Sequence, residues 1–181
     1  MSSQALYLAL LVLVGVERLA ELVISRRNAR WAFERGGREF GAEHFPWMAA
    51  LHTAFLVAAG VEVLVLEPPF IPAIGWPALA GVFLAQGVRY WVIGTLGRLW
   101  NVRVIVVPGA SAVTGGPYRW LRHPNYLAVV LEGLCLPLVH GAWITAAVFS
   151  IANAWLLSVR IRCEENALAE LTDYTERFLQ K

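Results

Sequence analysis

Charge is scarce in this sequence: charged residues make up 15% of its 181 positions, and there are two cysteines. Cys135 lies inside an apolar segment and Cys163 beside an expected helix end, which gives neither a disulfide framework nor a metal-ligand spacing. Redox and zinc chemistry therefore have no support, and no metal site is expected. No G-x-G-x-x-G occurs, which removes the phosphate-binding turn of a soluble nucleotide-binding sheet. Without a second nucleotide motif, a nicotinamide-dependent membrane reductase is disfavoured too. Repeats, low-complexity tracts and linkers are also absent, so residues 1–181 are read as one domain.

Apolar residues fill the space that these absences leave. They make up 58% of the chain, and the mean hydropathy is +0.57, more than a soluble core requires. Four windows approach the ~18–20 residues that cross a ~30 Å hydrocarbon layer: Gln4–Ile24, Phe45–Leu66, Ala73–Ile93 and Ala142–Val159. A fifth, Tyr126–Val139, is shorter and ends at Pro137 and "HG", as a tight span or one arm of a helical hairpin would. The first window has no basic start, runs into Glu17-Arg18 and offers no clear cleavage site, so it is read as a retained helix rather than a leader. The expected fold is an all-α integral membrane protein of about five transmembrane helices.

Arginine and lysine orient the chain, because they accumulate in cytoplasmic loops. Arg26, Arg27, Arg30, Arg35 and Arg38 follow the first window. Arg98, Arg103, Arg119 and Arg122 separate the third from the fourth apolar segment, and Arg160, Arg162, Arg177 and Lys181 follow the last. The other connections, 67–72 and 139–142, contain none. Five spans with the N-terminus outside satisfy every loop, and the net charge of +2 becomes a topology signal rather than a sign of nucleic-acid binding.

The polar chemistry gathers at the ends of the last two windows. In "GPYRWLRHPNYLAVVLEG" (116–133), Pro124 suits the first turn of a helix. Arg122 and His123 then sit at a helix mouth suited to an anionic group such as a carboxylate, unless they only reach for the interface. "VRVIVV" just upstream is β-branched and bounded by Pro-Gly, which is consistent with a short strand-like excursion or with a surface loop. In "RIRCEENALAEL" (160–171), Glu164 and Glu165 are spaced to pair with Arg160 and Arg162 on one helix. A cationic mouth facing an acidic pair would hold a zwitterion.

Glu132 is the costliest group. At 1.5 Å per residue it lies about 12 Å beyond Pro124, where an unpaired charge costs at least ~2.5–3.5 kcal/mol. It is a candidate catalytic residue, or else a carboxyl bonded to a neighbouring helix. Its helical phase matches Asn125 and Val129 and departs from Tyr126. Glu17 and Glu21 share one face of the first helix with Asn28, and Arg18 can pair with Glu21. Glu62 and Gln86 need partners that spacing does not name. Trp31, Trp47, Trp100 and Trp120 are expected in an interfacial belt.

Taken together, "GPYRWLRHPNY" (116–126) and "RIRCEENAL" (160–168) resemble the isoprenylcysteine carboxyl methyltransferase family, membrane enzymes that use S-adenosylmethionine. Residues 17–52 look like a bacterial branch of that family, some of whose members accompany type III polyketide synthases and O-methylate long-chain alkylpyrones or phenolic lipids. The resemblance implies a cytosol-facing cofactor pocket in the half from about 99 to 181, bordered by Tyr118, Arg122, His123, Tyr126, Glu164 and Glu165. Arg122 would orient the acceptor oxyanion or the cofactor, and Glu132 or the Glu17/Glu21 stripe would shape an acceptor chamber. Two departures from the eukaryotic pattern, "LAVVLEG" after Tyr126 and a short tail after Glu165, argue against a prenylcysteine acceptor.

The expected activity is methylation of a lipophilic carboxylate or acidic enol or phenol in a bacterial cell membrane, by in-line displacement that relies on alignment rather than a strong base because a carboxylate or an acidic enol is already ionised near neutral pH. Membrane lipids and a lipophilic small molecule are the expected partners, and the oligomeric state is left open. The competing expectations are N-methylation of a phospholipid amine and a non-catalytic membrane scaffold or carrier.

Overall fold

The computed structural model describes residues 2–179. Six helices account for most of them: α1 (Ser3–Phe33), α2 (Phe45–Leu66), α3 (Pro72–Leu96), α4 (Pro124–Leu138), α5 (Trp143–Leu171) and α6 (Tyr174–Leu179). The all-α expectation holds apart from one ribbon, β1 (Arg38–Phe40) paired antiparallel with β2 (Val104–Val106), in which Glu39 faces Ile105. β2 is the strand-like excursion that "VRVIVV" suggested. Its partner, from the far side of α2 in sequence, carries no strand signal of its own.

Each helix boundary has a local cause. The Ser2 side chain caps α1 by accepting from the Ala5 N–H at 3.2 Å. α1 then runs 31 residues, about 46 Å at 1.5 Å each, and so continues past the apolar window that ends near Ile24. It stops at Gly36, whose φ of +76° lets the Gly37 N–H turn back to the Ala32 carbonyl at 2.8 Å. Pro46, Pro72 and Pro124 occupy first-turn positions in α2, α3 and α4, where a missing N–H is harmless. α4 and α5 form a helical hairpin across residues 139–142, with Gly141 at φ +74°.

Among the described residues, three helical stretches, Ala42–Leu66, Pro72–Leu99 and Trp143–Leu171, are long and apolar enough to cross a membrane. The remaining two windows are helical as well. However, α1 carries Glu17, Arg18 and Glu21 in its run, and α4 has 15 residues, about 22 Å. Large apolar side chains face outward along these helices, among them Val65, Ile151 and Trp155 at 70–75% exposure. In water such a surface would aggregate; against acyl chains it is the solvated face.

Inside the bundle, Tyr7, Leu11 and Val14 of α1 meet Phe55, Ala59 and Val63 of α2, Val82 of α3, Leu136 of α4 and Phe149 of α5. Gly133 makes the α4–α5 approach possible, since a Cβ there would lie 2.2 Å from the Phe149 ring. Glu62 finds its partners at the start of α5, where its carboxylate accepts from the N–H groups of Ile144 (2.9 Å) and Thr145 (2.8 Å). Trp100 departs from the expected interfacial belt: it is buried, whereas Trp47 and Trp120 are exposed.

Candidate active site

The hairpin brings the N-terminus of α4 beside the C-terminal third of α5, and the cleft lies there. It encloses about 1020 Å³ of empty space, part of it open to solvent. Its walls come from the 96–107 segment and β2, the 110–113 loop, the 3₁₀ turn Gly116–Arg119, the first turn of α4, α5 from Arg160 to Leu168, and α6.

Two contacts join the polar motifs. His123 Nε2 lies 2.9 Å from Glu165 Oε1, and the Tyr126 hydroxyl donates to Glu164. Of the six residues expected to border a cofactor, Tyr118, Arg122, His123, Tyr126 and Glu164 line the cleft. Glu165 stands behind His123 and also lies 3.5 Å from the Tyr174 hydroxyl. Arg122 is exposed at the rim, and its guanidinium donates to the Phe178 carbonyl at 3.4 Å.

The expected ion pairs along α5 do not form. Arg162 donates to the Ser158 carbonyl at 3.0 Å instead of reaching Glu165. Arg160 turns inward: its Nε donates to the Tyr126 hydroxyl at 3.0 Å and its Nη2 to the Val102 carbonyl at 2.5 Å. Buried at 7% exposure, Arg160 ties α5 to α4 and to the 99–103 segment, and through Tyr126 it aims Glu164 at the cleft. Sequence reasoning treated it as a topology charge and as a partner for Glu164 on the same helix. The missed signal is its place seven residues after Asn153, on the buried stripe of α5.

The α4 mouth is a weaker anion trap than expected. Pro124 has no N–H, and those of Tyr126 and Leu127 are both spent on the His123 carbonyl. Anion recognition falls to the side chains. Two buried polar atoms on the walls, Trp100 Nε1 and Asn125 Oδ1, have no partner among the described residues. Burial, and then the Glu164 charge, raise the Tyr118 phenol well above its usual range, so it remains a neutral hydroxyl. Burial and Glu165 likewise raise that of Tyr174.

A latch closes one side. Asp173, before α6, accepts from the Ala112 N–H at 2.6 Å and from Arg177 Nε at 2.6 Å, and the Gly109 N–H donates to the Leu171 carbonyl. The Ala112 hydrogen bond, reinforced by Arg177, holds the Asp173 carboxyl below the usual range. The floor is fastened by Glu39, which meets Arg103 in a bidentate pair with Nε at 2.6 Å.

Glu132 is not in the cleft. It is buried between helices, where its carboxylate accepts from Arg89 at 3.0 Å with Arg18 at 3.7 Å. The bonding to neighbouring helices is therefore what the structure shows, and the partners are cationic.

The profile of the isoprenylcysteine carboxyl methyltransferase family matches residues 78–170, which take in most of α3, β2, α4 and nearly all of α5. The chain belongs to this family of membrane methyltransferases. Among curated relatives, the uncharacterized protein YpbQ of Bacillus subtilis is 43% identical over 162 residues, covering 89% of this chain and 95% of its own. An uncharacterized protein of Haemophilus influenzae is 28% identical over 155 residues, 85% of this chain and 90% of its own. The cobalt-zinc-cadmium resistance protein CzcN of Cupriavidus metallidurans is 31% identical over 103 residues, 53% of this chain and 47% of its own. No solved structure matches.

Proposed function

We propose that the protein is an S-adenosylmethionine-dependent methyltransferase that methylates an oxygen of a lipophilic acceptor at the cytosolic face of a bacterial membrane. The observation that carries this is the pairing of His123 with Glu165 and of Tyr126 with Glu164 around one cleft. The arginine-rich connections support the orientation, since they cluster at the cleft end of the helices.

The residues fit the cofactor's zwitterionic methionine part. Arg122 at the rim and His123 at the α4 mouth would hold its carboxylate. Glu164 would hold its ammonium, with Glu165 steadying the histidine. Trp100 Nε1 offers an unused donor and Asn125 Oδ1 an unused acceptor for a heterocycle, and Tyr118 adds a neutral hydroxyl. When bound, S-adenosylmethionine supplies a methyl group on a positively charged sulfur that an oxygen nucleophile can displace.

The chain's own work is positioning. Arg160 fixes Tyr126 and the 99–103 segment against one another, and the Asp173 latch and α6 close one side of the cleft. Alignment of this kind supplies several of the ~7–11 kcal/mol available from bringing two reactants into register. Val104, Val106 and Leu168 give the cleft an apolar wall beside the lipid-facing helices, which suits an acceptor with a hydrocarbon tail.

The test uses the purified protein with methyl-tritiated S-adenosylmethionine and a bacterial lipid extract. The expected result is an organic-soluble labelled product, one CH₂ heavier than its precursor, with labelling cut about tenfold or more by Glu164→Gln or Arg122→Ala. A product methylated on nitrogen, or no calorimetric binding of the cofactor to the wild type, would overturn the reading.

A further inference from the structure

The basic residues at the cleft end of the bundle are unevenly placed around it. On the α2–α5 flank they have partners: Arg160 is buried against Tyr126 and Val102, and Arg162 donates to the Ser158 carbonyl. On the α1–α3 flank they do not. Arg26, Arg27 and Arg30 of α1, Arg98 after α3 and Arg119 in the Gly116–Arg119 turn are all exposed. None forms an ion pair or a side-chain hydrogen bond with another described residue, and the next acid along the chain, Glu34, pairs with Arg35. General rules cover only part of this. The helix dipole favours a cation in the last turn of α1, which takes in Arg30 but not Arg26 or Arg27. The sorting of basic loops sets which side of the membrane they face, not their place around the bundle. Arg26 and Arg27 also stand four and three residues before Arg30, and like charges at those spacings weaken a helix unless an anion lies beside them.

Local packing gathers these arginines around the end of α3. Asn28, on the buried face of α1, donates to the Gly97 carbonyl at 3.1 Å, which seats Arg98 beside the arginine-bearing turns. Gly116 lets its own turn press on α3, since a Cβ there would lie 2.4 Å from Thr95 Oγ1. That approach lays the exposed Trp120 ring on Trp91 of α3, with centroids 5.6 Å apart, and the Arg119 guanidinium 5.7 Å from the Trp120 centroid. By helical rise, Arg26 and Arg27 lie about 3 and 4.5 Å past Ile24, where the apolar window ends, inside a headgroup layer roughly 5–7 Å deep. Val23 and Ile24 before them, and Trp91, Trp120 and Leu121 on the α3 side, are exposed and apolar. Cations at headgroup depth over lipid-facing apolar groups match a phosphate over its acyl chains.

We propose that this flank binds an anionic phospholipid of the adjoining leaflet, with Arg26, Arg27 and Arg98 answering its phosphate and the Trp91–Trp120 pair seated against its upper acyl carbons. Charge selects the occupant. Five guanidiniums with no carboxylate paired among them attract a net-negative headgroup, whereas a zwitterionic headgroup carries its own cation and brings no net attraction. A soluble anion has no acyl chain to cover the apolar residues. The surface is independent of what the cleft does, yet it lies back to back with the cleft wall. On the buried side of the same α1 turns, Ser25 donates to Asn101 at 2.7 Å and Asn28 to the Trp100 carbonyl at 2.7 Å, and both partners line the cleft. A lipid held on the outer side braces those turns.

The test incubates the full-length protein, in a non-ionic detergent, with an equal mixture of chain-matched phosphatidylglycerol and phosphatidylcholine, and counts the retained lipids by native mass spectrometry. The wild type should retain phosphatidylglycerol over phosphatidylcholine by about tenfold or more, since each arginine near an anionic lipid surface contributes about fivefold. Arg26→Gln/Arg27→Gln/Arg98→Gln, checked for folding by helical circular dichroism, should retain the two lipids equally. The pair Arg26→Gln/Arg27→Gln should lose part of the preference, and Arg162→Gln, on the other flank, should keep all of it. Millimolar inorganic phosphate should not displace phosphatidylglycerol. In nanodiscs, adding phosphatidylglycerol to phosphatidylcholine should raise the melting temperature of the wild type and leave that of the triple variant unchanged. Equal retention of the two lipids by the wild type overturns the proposal whether or not the variants fold. Wild-type preference in the folded triple variant, an equal loss in Arg162→Gln, or displacement by phosphate overturns it as well.

Discussion

Removing Arg89 should leave Glu132 with too little compensation in a medium that does not tolerate bare charge. The pair is 3.0 Å apart with both side chains 7% exposed. Breaking a buried pair by deleting one partner typically costs about 3–5 kcal/mol, because the survivor stays buried and charged. Arg18, 3.7 Å from Glu132, and Glu21, 3.7 Å from Arg89, offset part of that loss, so about 3 kcal/mol is expected for Arg89→Met and for Glu132→Leu alone. The double substitution removes both charges and fills similar volume, and it should cost about 2 kcal/mol or less. The coupling free energy is then at least about 4 kcal/mol in magnitude, well above the ~0.6 kcal/mol average of polar pairs between membrane helices. Titration of the protein from mild detergent into dodecyl sulfate, followed by helical circular dichroism, measures all four corners of the cycle. A coupling at or below about 0.6 kcal/mol would refute the claim that the ion pair is a desolvated unit.

Further expectations concern the cleft and its supports. Arg160→Gln removes two charge-assisted hydrogen bonds, to Tyr126 and Val102, each worth about 1.5–3 kcal/mol; calorimetry should show S-adenosylmethionine affinity reduced tenfold or more, and an unchanged affinity would remove Arg160 from the site's support. Glu62→Ala strips the carboxylate from the start of α5 and should destabilise the protein by about 1.5–3 kcal/mol in the same unfolding titration, with no effect on cofactor binding. The Asp173 latch has a pH signature. Its folded-state carboxyl is depressed by the Ala112 N–H and Arg177, so its stabilisation is fully present above the unfolded value of about 3.9 and is lost as pH falls through the lower folded value. Exchange of the Ala112 amide should therefore stay slow from neutral pH down to that range in the wild type and be fast throughout in Asp173→Asn.

The helices were largely legible because membrane-length apolar runs are the strongest periodic signal a chain can carry, and the breakers Gly36, Pro72 and Pro124 punctuate them. The ribbon was only half legible: β2 announces itself through β-branched residues, whereas "REF" at 38–40 does so only once its partner is placed. At the cleft, the residues around His123 and the Glu164–Glu165 pair stood out because their chemistry was massed at the ends of greasy segments. Arg160 did not, since a basic residue after a span has a sufficient explanation in topology, and only the packing of α4 on α5 turns it inward. Glu132 stood out as costly, and the structure places it outside the cleft, among charged partners on neighbouring helices. Its partners Arg89 and Arg18 are 43 and 114 positions away, and no local spacing connects them.

The most direct test of the central claim is calorimetric titration of the detergent-solubilised protein with S-adenosylmethionine, alongside His123→Ala and Glu164→Gln. The account predicts one saturable site in the wild type, weakened about tenfold or more by each substitution while the melting temperatures of the unliganded proteins stay close together. Wild-type affinity in both variants would contradict it, because the paired ends of α4 and α5 would then not be where the cofactor is held.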